Sequence, residues 1–359
     1  MITMKKYLLS ALHPFLFMIL GVHFTSVINA QENYSFQQAS WLPSNCIVNR
    51  IIKTPKIGIV VLTNNGVYIK DKDNNVTQNL KSLNLTNFEE LDNDQYVLSS
   101  ENMIYDKTGK SIVVLDSSQI VTALYNQGSL LWIGTKKGLF RYNLATSKIE
   151  EMTKRNSKFD KSGVNFIHRD AANNLWIGTT NGDYRITKNN WKKYNEGKNV
   201  LDFFENNEGM WFVSTDDMWL VDLKNRFYPV GLGDDLTKGS LNDFTINPKG
   251  KLYFASEKLT AYDPYSSKIQ NFEDEITFLT KKTTSLKWDD KSLLLGTEGY
   301  GLYELTFLPD SKDLSINILV KKTPSCIDKS DGELEAFVKG GTPPYRYRWA
   351  EYSTDKAML

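Results

Sequence analysis

Cysteine is nearly absent, with two residues in 359. That excludes a disulfide-stapled scaffold and any metal domain built on several thiolates. Histidine is almost as scarce, with three residues and no His-Glu-x-x-His string, too few for a multi-ligand catalytic zinc site. Neither sign of charge dominates. Lys and Arg number 43 against 42 Asp and Glu, so there is no basic field for nucleic acid and no acidic solvating tail. No Gly-x-Ser-x-Gly elbow, Walker loop or dinucleotide fingerprint occurs, which removes the commonest nucleophile and phosphate sites. These absences point away from an enzyme, a cofactor and a bound metal.

Aromatic residues are what the chain has in excess: 18 Tyr, 18 Phe and 8 Trp, 12% in all. Hydrophobic residues at 41% and charged residues at 24% are ordinary for a globular protein and exclude a mostly disordered or mostly membrane-spanning chain. The length suits about two domains.

The first thirty residues read as an export signal. Lys5 and Lys6 precede Leu8 to Phe24, a stretch with no formal charge interrupted by His13, Pro14 and His23, and Ile28-Asn29-Ala30 ends on a small residue before Gln31. Charged start, apolar run and small-residue exit are the secretory pattern, and cleavage is expected after Ala30. Cleavage leaves 41 basic against 42 acidic residues, and His168 as the one histidine. No later hydrophobic run reaches spanning length, so the mature chain is expected in the periplasm, at the cell surface or secreted.

Self-similarity organises the rest. Leu131-Trp132-Ile133-Gly134-Thr135 leads to Gly138-Leu139-Phe140-Arg141-Tyr142, Leu175-Trp176-Ile177-Gly178-Thr179 to Gly182-Asp183-Tyr184-Arg185-Ile186, and Leu293-Leu294-Leu295-Gly296-Thr297 to Gly301-Leu302-Tyr303. Weaker copies place Val60, Tyr96, Trp211 and Tyr253 at the Trp position. Seven copies result, about forty residues apart, each the length of a four-stranded propeller blade. Short β-branched and aromatic runs between Gly, Asn and Asp turns are strand and hairpin chemistry. The expected fold is therefore all-β: a seven-bladed propeller over residues 31–312. A ring must join its ends or leave an open sheet edge, so Ser35-Phe36-Gln37-Gln38 is expected to supply the outer strand of the last blade.

The Leu-Trp-Ile-Gly-Thr…Gly-Leu pattern resembles the two-component-regulator propeller repeat, most closely over Asp170 to Arg185. Trp41-Leu42-Pro43-Ser44-Asn45 resembles that family's Gly-Leu-Pro-Ser-Asn lead-in, with Trp in place of Gly. The resemblance covers about residues 34 to 308. It implies the sensing part of a larger protein, outside the cytoplasm, many members being hybrid sensor kinases that respond to glycans. Further on, Pro324-Ser325-Cys326 and Gly340-Gly341-Thr342-Pro343-Pro344-Tyr345-Arg346-Tyr347-Arg348-Trp349 resemble the start of an SprB repeat. That resemblance implies a partial immunoglobulin-like module over residues 313–359.

Candidate functional residues were weighed against their structural uses. Trp132, Trp176 and Trp211 recur at one position of a buried strand, so blade packing is favoured over a sugar platform. Gly134, Gly178 and Gly296 belong to the same core. His168 is expected in a turn or at the surface. Asp71-Lys72-Asp73-Asn74-Asn75 opens like a calcium loop, but Val76 replaces the required Gly, which favours a hairpin turn. The acidic pairs Asp216-Asp217, Asp234-Asp235 and Asp289-Asp290 read as solvated turns, and a bridge between Cys46 and Cys326 would have to join two different expected modules. The best location for a site is the rim where the turns between second and third strands converge. Those turns carry Asn64, Asn65, Glu101, Lys136, Lys137, Thr180, Asn181, Asp216, Asp217, Glu257, Lys258, Glu298 and Tyr300. Their mix of amides, hydroxyls and both charges suits a polar ligand, a glycan or a surface protein. The reading is of an exported binding or sensing propeller. The alternatives are the sensor fragment of a hybrid histidine kinase and a propeller glycan hydrolase or lyase.

Overall fold

A computed structural model describes residues 34–152, 159–187, 190–206, 209–215, 217–222, 226–229, 241–256, 258–263, 268–272, 282–290, 292–307, 315–322, 333–339, 347–349 and 352–354. The chain divides into two compact units, one spanning Phe36–Thr306 and one that includes Phe307–Leu359.

The larger unit is a seven-bladed β-propeller, seven antiparallel four-stranded sheets in chain order. Blade 3 illustrates the plan: Val121–Gln127, Leu130–Thr135, Gly138–Asn143 and Ile149–Glu151, inner to outer. The inner strands of the other blades are Val48–Thr54, Asn87–Glu90, Val164–Arg169, Val200–Asn206, Asp243–Ile246 and Thr283–Asp289. Blade 7 takes its outer strand from the other end of the chain, where Tyr34–Gln38 pairs with Leu302–Phe307. Phe36 stacks on Tyr303 at 5.2 Å, and the Ala39 N–H donates to the Leu302 carbonyl. The connecting segment then buries Leu42 and Cys46 beside Val48 and Ile51 of blade 1 and Leu294 and Leu302 of blade 7. Ring closure is thus both a strand pairing and an apolar seal, and it removes one sheet edge.

The repeated motif has a local cause at each position. Its second strand is buried on both faces, and Trp132, Trp176 and Trp211 are 6%, 2% and 4% exposed. Each Trp packs on the next blade: Trp132 against Val164, Trp176 against Phe212, Trp211 against Phe254. The motif glycine makes room for a neighbour. A Cβ on Gly134 would meet Val164 of the following blade at 2.5 Å, and one on Gly296 would meet Val48 at 2.4 Å. At Gly178 the room is taken by the Phe166 ring of its own blade.

The motif threonine closes the next turn. Thr135 and Thr179 donate their hydroxyls to the carbonyls of Gly138 and Gly182, and accept from the N–H groups of Lys137 and Asn181. Thr63 and Thr297 repeat this with Gly66 and Gly301. At Gly182 the backbone lies at φ +94°, where a side chain would strike the Tyr194 carbonyl.

Outside the propeller, Ser315–Lys322 pairs with Glu333–Lys339, and Tyr347–Trp349 with Tyr352–Thr354, in two separate antiparallel ladders. The Gly340–Arg346 part of the SprB-like string, Cys326 and the export signal lie outside the described residues.

Candidate functional site

Five inner strands begin with a β-bulge. The register slips between Val48 and Arg50, Val121 and Ala123, Val164 and Phe166, Val200 and Asp202, and Thr283 and Ser285. A bulge leaves one residue out of the ladder, here Asn49, Thr122, Asn165, Leu201 and Thr284. Four of these five are polar, and each polar one donates to a backbone carbonyl of the next blade. Thr284 reaches Val48, Asn49 reaches Leu85 at 2.7 Å, Thr122 reaches Val164, and Asn165 reaches Val200 at 2.7 Å. In blade 2, Asn87 does the same to Val121 at 3.1 Å. A belt of side-chain-to-carbonyl bonds therefore joins blade 7 through blades 1, 2, 3 and 4 to blade 5.

The belt stops at blade 5, because Leu201 has nothing to donate. Among the described residues the contact between blades 5 and 6 is apolar, with Trp211, Val213 and Met218 packed on Phe244, Leu252 and Phe254. The carboxylates beside the break are used differently as well. Asp202 Oδ1 accepts the N–H of its own neighbour Phe203 at 2.8 Å, and among the described residues nothing bonds to Oδ2. Asp243 accepts Phe244 N–H on Oδ1 and, across the 6–7 junction, Leu286 N–H on Oδ2 at 2.7 Å.

A cavity of about 300 Å³ opens there, within the size range of small-molecule sites. Its wall includes Asn49, Arg50, Asn165, Asp202 and Asp243, together with Leu201 and Phe244. The inner strands thus bring to one space residues as far apart in sequence as Asn49 and Phe244. Burial pushes the Asp243 carboxyl up to about 6, against the pull of its two N–H donors and of the Arg50 charge, and the Asp202 charge pushes it further up. Burial also raises Asp202, opposed by the Phe203 N–H and the charges of Arg50, Lys287 and His168. Arg50 spends one nitrogen on Asn87 Oδ1 at 2.8 Å and forms no ion pair with either aspartate. Farther along the same inner face, burial lifts Glu89 to about 7 although it accepts the Asn126 N–H at 2.8 Å.

The turn residues singled out from sequence occupy other positions. The second-to-third-strand turns bond to the lead-in of their own inner strands, as in Asn64 to Ile47, Lys136 to Ile120, Thr180 to Gly163 and Glu298 to Lys282. They therefore share a rim with the starts of the inner strands, but none lines the cavity. Several serve the turns themselves. Asn64 Oδ1 accepts Ile47 N–H, Asn65 Oδ1 accepts Ser82 N–H, Asn181 bonds Asp160 and Gly197, Thr180 accepts Gly163 N–H, and Asp217 accepts Met218 N–H. Lys198 lies 3.6 Å from Asp217, and Lys282 lies 3.9 Å from Glu298. Glu101 sits at φ 51° in a tight turn, and the Tyr300 carbonyl accepts from Gln38. Lys136, Lys137 and Lys258 are exposed, and Asp216 and Glu257 lie outside the described residues.

His168 lies in the strand Val164–Arg169 rather than in a turn, and it is exposed there, as its surface reading expected. Its ring lies edge-on to Phe203 at 4.8 Å and to Tyr125 at 6.3 Å. It keeps solvent contact, yet desolvation between these rings holds its pKa below the ordinary histidine value, against the raising charges of Asp202, Glu205 and Asp170. Asp71 closes a hairpin by accepting the N–H groups of Asp73 and Asn75. Asp289 and Asp290 both pair with Lys53, joining blade 7 to blade 1, while Asp234 and Asp235 lie outside the described residues. Cys46 is a buried free thiol whose pKa burial raises.

Sequence reasoning missed Asp183. Other blades place Val67, Leu139 or Leu302 after the turn glycine, and all three are buried. Asp183 is fully buried, Oδ1 accepts from Asn195 at 2.6 Å, and Oδ2 is unpartnered. Burial lifts this carboxyl to about 7, against the lowering bonds from Asn195 and its own backbone N–H. It also missed the belt, whose signal is a polar residue after a β-branched one at Val48-Asn49, Val121-Thr122, Val164-Asn165 and Thr283-Thr284.

No family model and no curated protein matches the chain. Solved structures do. Virginiamycin B lyase from Staphylococcus aureus aligns over 77% of this chain and 100% of its own, with TM-score 0.61 and 13% identity. The extracellular domain described as that of the hybrid two component system BT4673 from B. thetaiotaomicron aligns over 84% of this chain, with TM-score 0.61 and 16% identity, and this chain spans 42% of it. A second such domain from the same organism, BT3049, gives TM-score 0.61 and 15% identity over 85% of this chain and 49% of its own. The lyase corrects one expectation. The lack of a catalytic motif does not point away from an enzyme, because enzymes use this fold. At these identities each likeness is one of fold, and the fold shared by all three is the β-propeller.

Proposed function

We propose that this chain is an exported recognition domain that binds a small polar ligand in its central channel, as the sensing part of a surface assembly. The observation that carries the reading is the cavity of about 300 Å³ where Arg50, Asp202 and Asp243 face common space without pairing. Charges left unpaired inside a protein are costly, so a wall that keeps them is suited to a partner that completes them. The export signal, cleaved after Ala30, and the extracellular origin of the similar two-component domains support the location. Residues 313–359 are read as the start of an SprB-type module. The exposed rim turns, with Lys136, Lys137 and Tyr300, give a larger ligand or a protein loop an outer contact.

A thermal-shift panel on the full chain tests the binding claim, with neutral, acidic and amino sugars, free amino acids and short peptides. One class should raise the melting temperature progressively with its concentration, the added stability reaching about 2.7 kcal/mol at one hundred times its Kd. The shift should shrink in Asp243→Asn. No shift with any class, or a shift unchanged by Asp243→Asn, would overturn the proposal.

A further inference from the structure

The cavity wall carries one sign of charge on each side. Arg50 comes from the inner strand of blade 1, and Asp202 and Asp243 come from those of blades 5 and 6. Each aspartate feels the Arg50 charge, yet neither is close enough to form an ion pair with it. Arg50 has five N–H donors in a planar fork, of which one nitrogen serves Asn87. Asp202 Oδ2 has no partner among the described residues. A guanidinium and a carboxylate facing each other over a gap match a molecule with a carboxylate at one end and an ammonium at the other. Neutral polar groups complete the wall: the Asn49 and Asn165 amides are held by the belt, so they leave the charges to set orientation.

We infer that the ligand of this channel is a small zwitterion of the amino-acid or short-peptide class, its carboxylate on Arg50 and its ammonium on Asp202 and Asp243. The inference rests on the channel reading given above and narrows it. The fork of Arg50 accepts a planar carboxylate by two parallel hydrogen bonds, the geometry for which guanidinium is best suited. The ammonium offers three donors to the free oxygen of Asp202 and the lone pairs left on Asp243. A neutral sugar meets neither demand, and it would cover the Arg50, Asp202 and Asp243 charges without bringing a counter-charge, which is costly. The apolar part of the wall, Leu201 and Phe244, stands beside the aspartates and gives a side chain a place to rest.

The test is calorimetric titration of the full chain with free amino acids from glycine to phenylalanine, with di- and tripeptides, and with the N-acetyl and C-amide derivatives of whichever binds. Amino acids and peptides differ in the span between their charges, so the tighter class identifies the source. Blocking either end should weaken binding at least tenfold. Arg50→Gln should bind the free acid and its amide equally. Asp202→Asn, which keeps shape and removes charge, should bind the free amine and its N-acetyl form equally. Circular dichroism and a melt establish that each variant is folded, and if Arg50→Gln is not, Asp202→Asn carries the test alone. If a neutral sugar binds and both blocked derivatives bind as well as the parent, the zwitterion inference fails while the channel reading stands. If no probe of any class binds, both fail.

Discussion

Two neighbouring junctions of the ring are built differently. Between blades 4 and 5, Asn165 donates to the Val200 carbonyl at 2.7 Å and to Asn199 at 2.9 Å, above an apolar layer of Trp176, Phe203 and Phe212. Between blades 5 and 6 the apolar layer is kept, with Trp211, Val213 and Met218 packed on Phe244, Leu252 and Phe254, but Leu201 stands where Asn165 stood. Packing is therefore common to both junctions, and the polar belt is not. Where the belt is whole, side chains at the channel are occupied by carbonyls of the next blade. Where it is broken, Asp202 falls back on its own strand, and the cavity opens beside it. The scaffold and the candidate site are thus separable. Packing holds the ring, and the gap in the belt supplies the free polar groups.

The comparison breaks most severely if the ring is opened. Deleting Tyr34–Gln38 removes the outer strand of blade 7 and exposes the edge of Leu302–Phe307. Both junctions then lose a closed scaffold, and the melting temperature should drop by more than for any single substitution below. An unchanged melt would mean that closure does not hold the ring. Next comes the packing shared by both junctions. Trp176→Ala and Trp211→Ala each remove an aromatic at most 4% exposed and should cost about 3–5 kcal/mol in denaturant melts.

Asp183, at the 4–5 side, gives a pH signature that the 5–6 side lacks at this position, where Met218 is fully buried. Its folded pKa of about 7 exceeds the ordinary carboxyl value near 4. The folded state therefore holds a proton that the unfolded state releases. That contribution is complete below pH 4 and is lost as pH rises through 7, at about 1.4 kcal/mol per pH unit. Asp243 and Glu89, also raised by burial, titrate within the same range, so the readout is wild type minus Asp183→Leu across pH 4–8. The variant should gain relative stability as pH rises, by up to about 4 kcal/mol. A pH-independent difference would contradict the buried, proton-bearing Asp183.

The belt itself predicts smaller effects. Asn165→Ala leaves the Val200 carbonyl without its donor and should cost about 1–3 kcal/mol. Leu201→Asn offers blade 5 the donor it lacks and should change stability by less than about 1 kcal/mol. Equal losses from the two changes would mean that the junctions do not differ in the way described.

The blades were legible in sequence because each is local. Leu131 to Tyr142 carries a strand, a turn and a strand, and its Trp, Gly and Thr each act within a few residues or against a repeated neighbour. Ring closure was legible too, since seven blades need an end, and Ser35-Phe36-Gln37-Gln38 was the stretch left over. The channel was not. Asn165 finds its partner 35 residues on at Val200, and Arg50 meets Asp202 and Asp243 only once blades 1, 5 and 6 face one another. No short pattern records that meeting. The turn residues drew attention because they are polar and exposed, whereas Asn64, Asn65 and Asn181 bond to nearby backbone. Asp183 was hidden by its motif, where a carboxylate after Gly182 looks like one more turn residue although it is buried where other blades keep an aliphatic side chain.

The most direct test of the central claim is amide hydrogen exchange on the full chain, with and without a saturating concentration of the amino acid or sugar that most raises its melting temperature. Slowed exchange around residues 49–51, 201–203 and 242–245, with the outer strands unchanged, is the result expected if the break in the belt forms the site. Protection confined to the rim turns around Lys136, Lys137, Thr180 and Asn181, with the inner-strand starts unaffected, would contradict it.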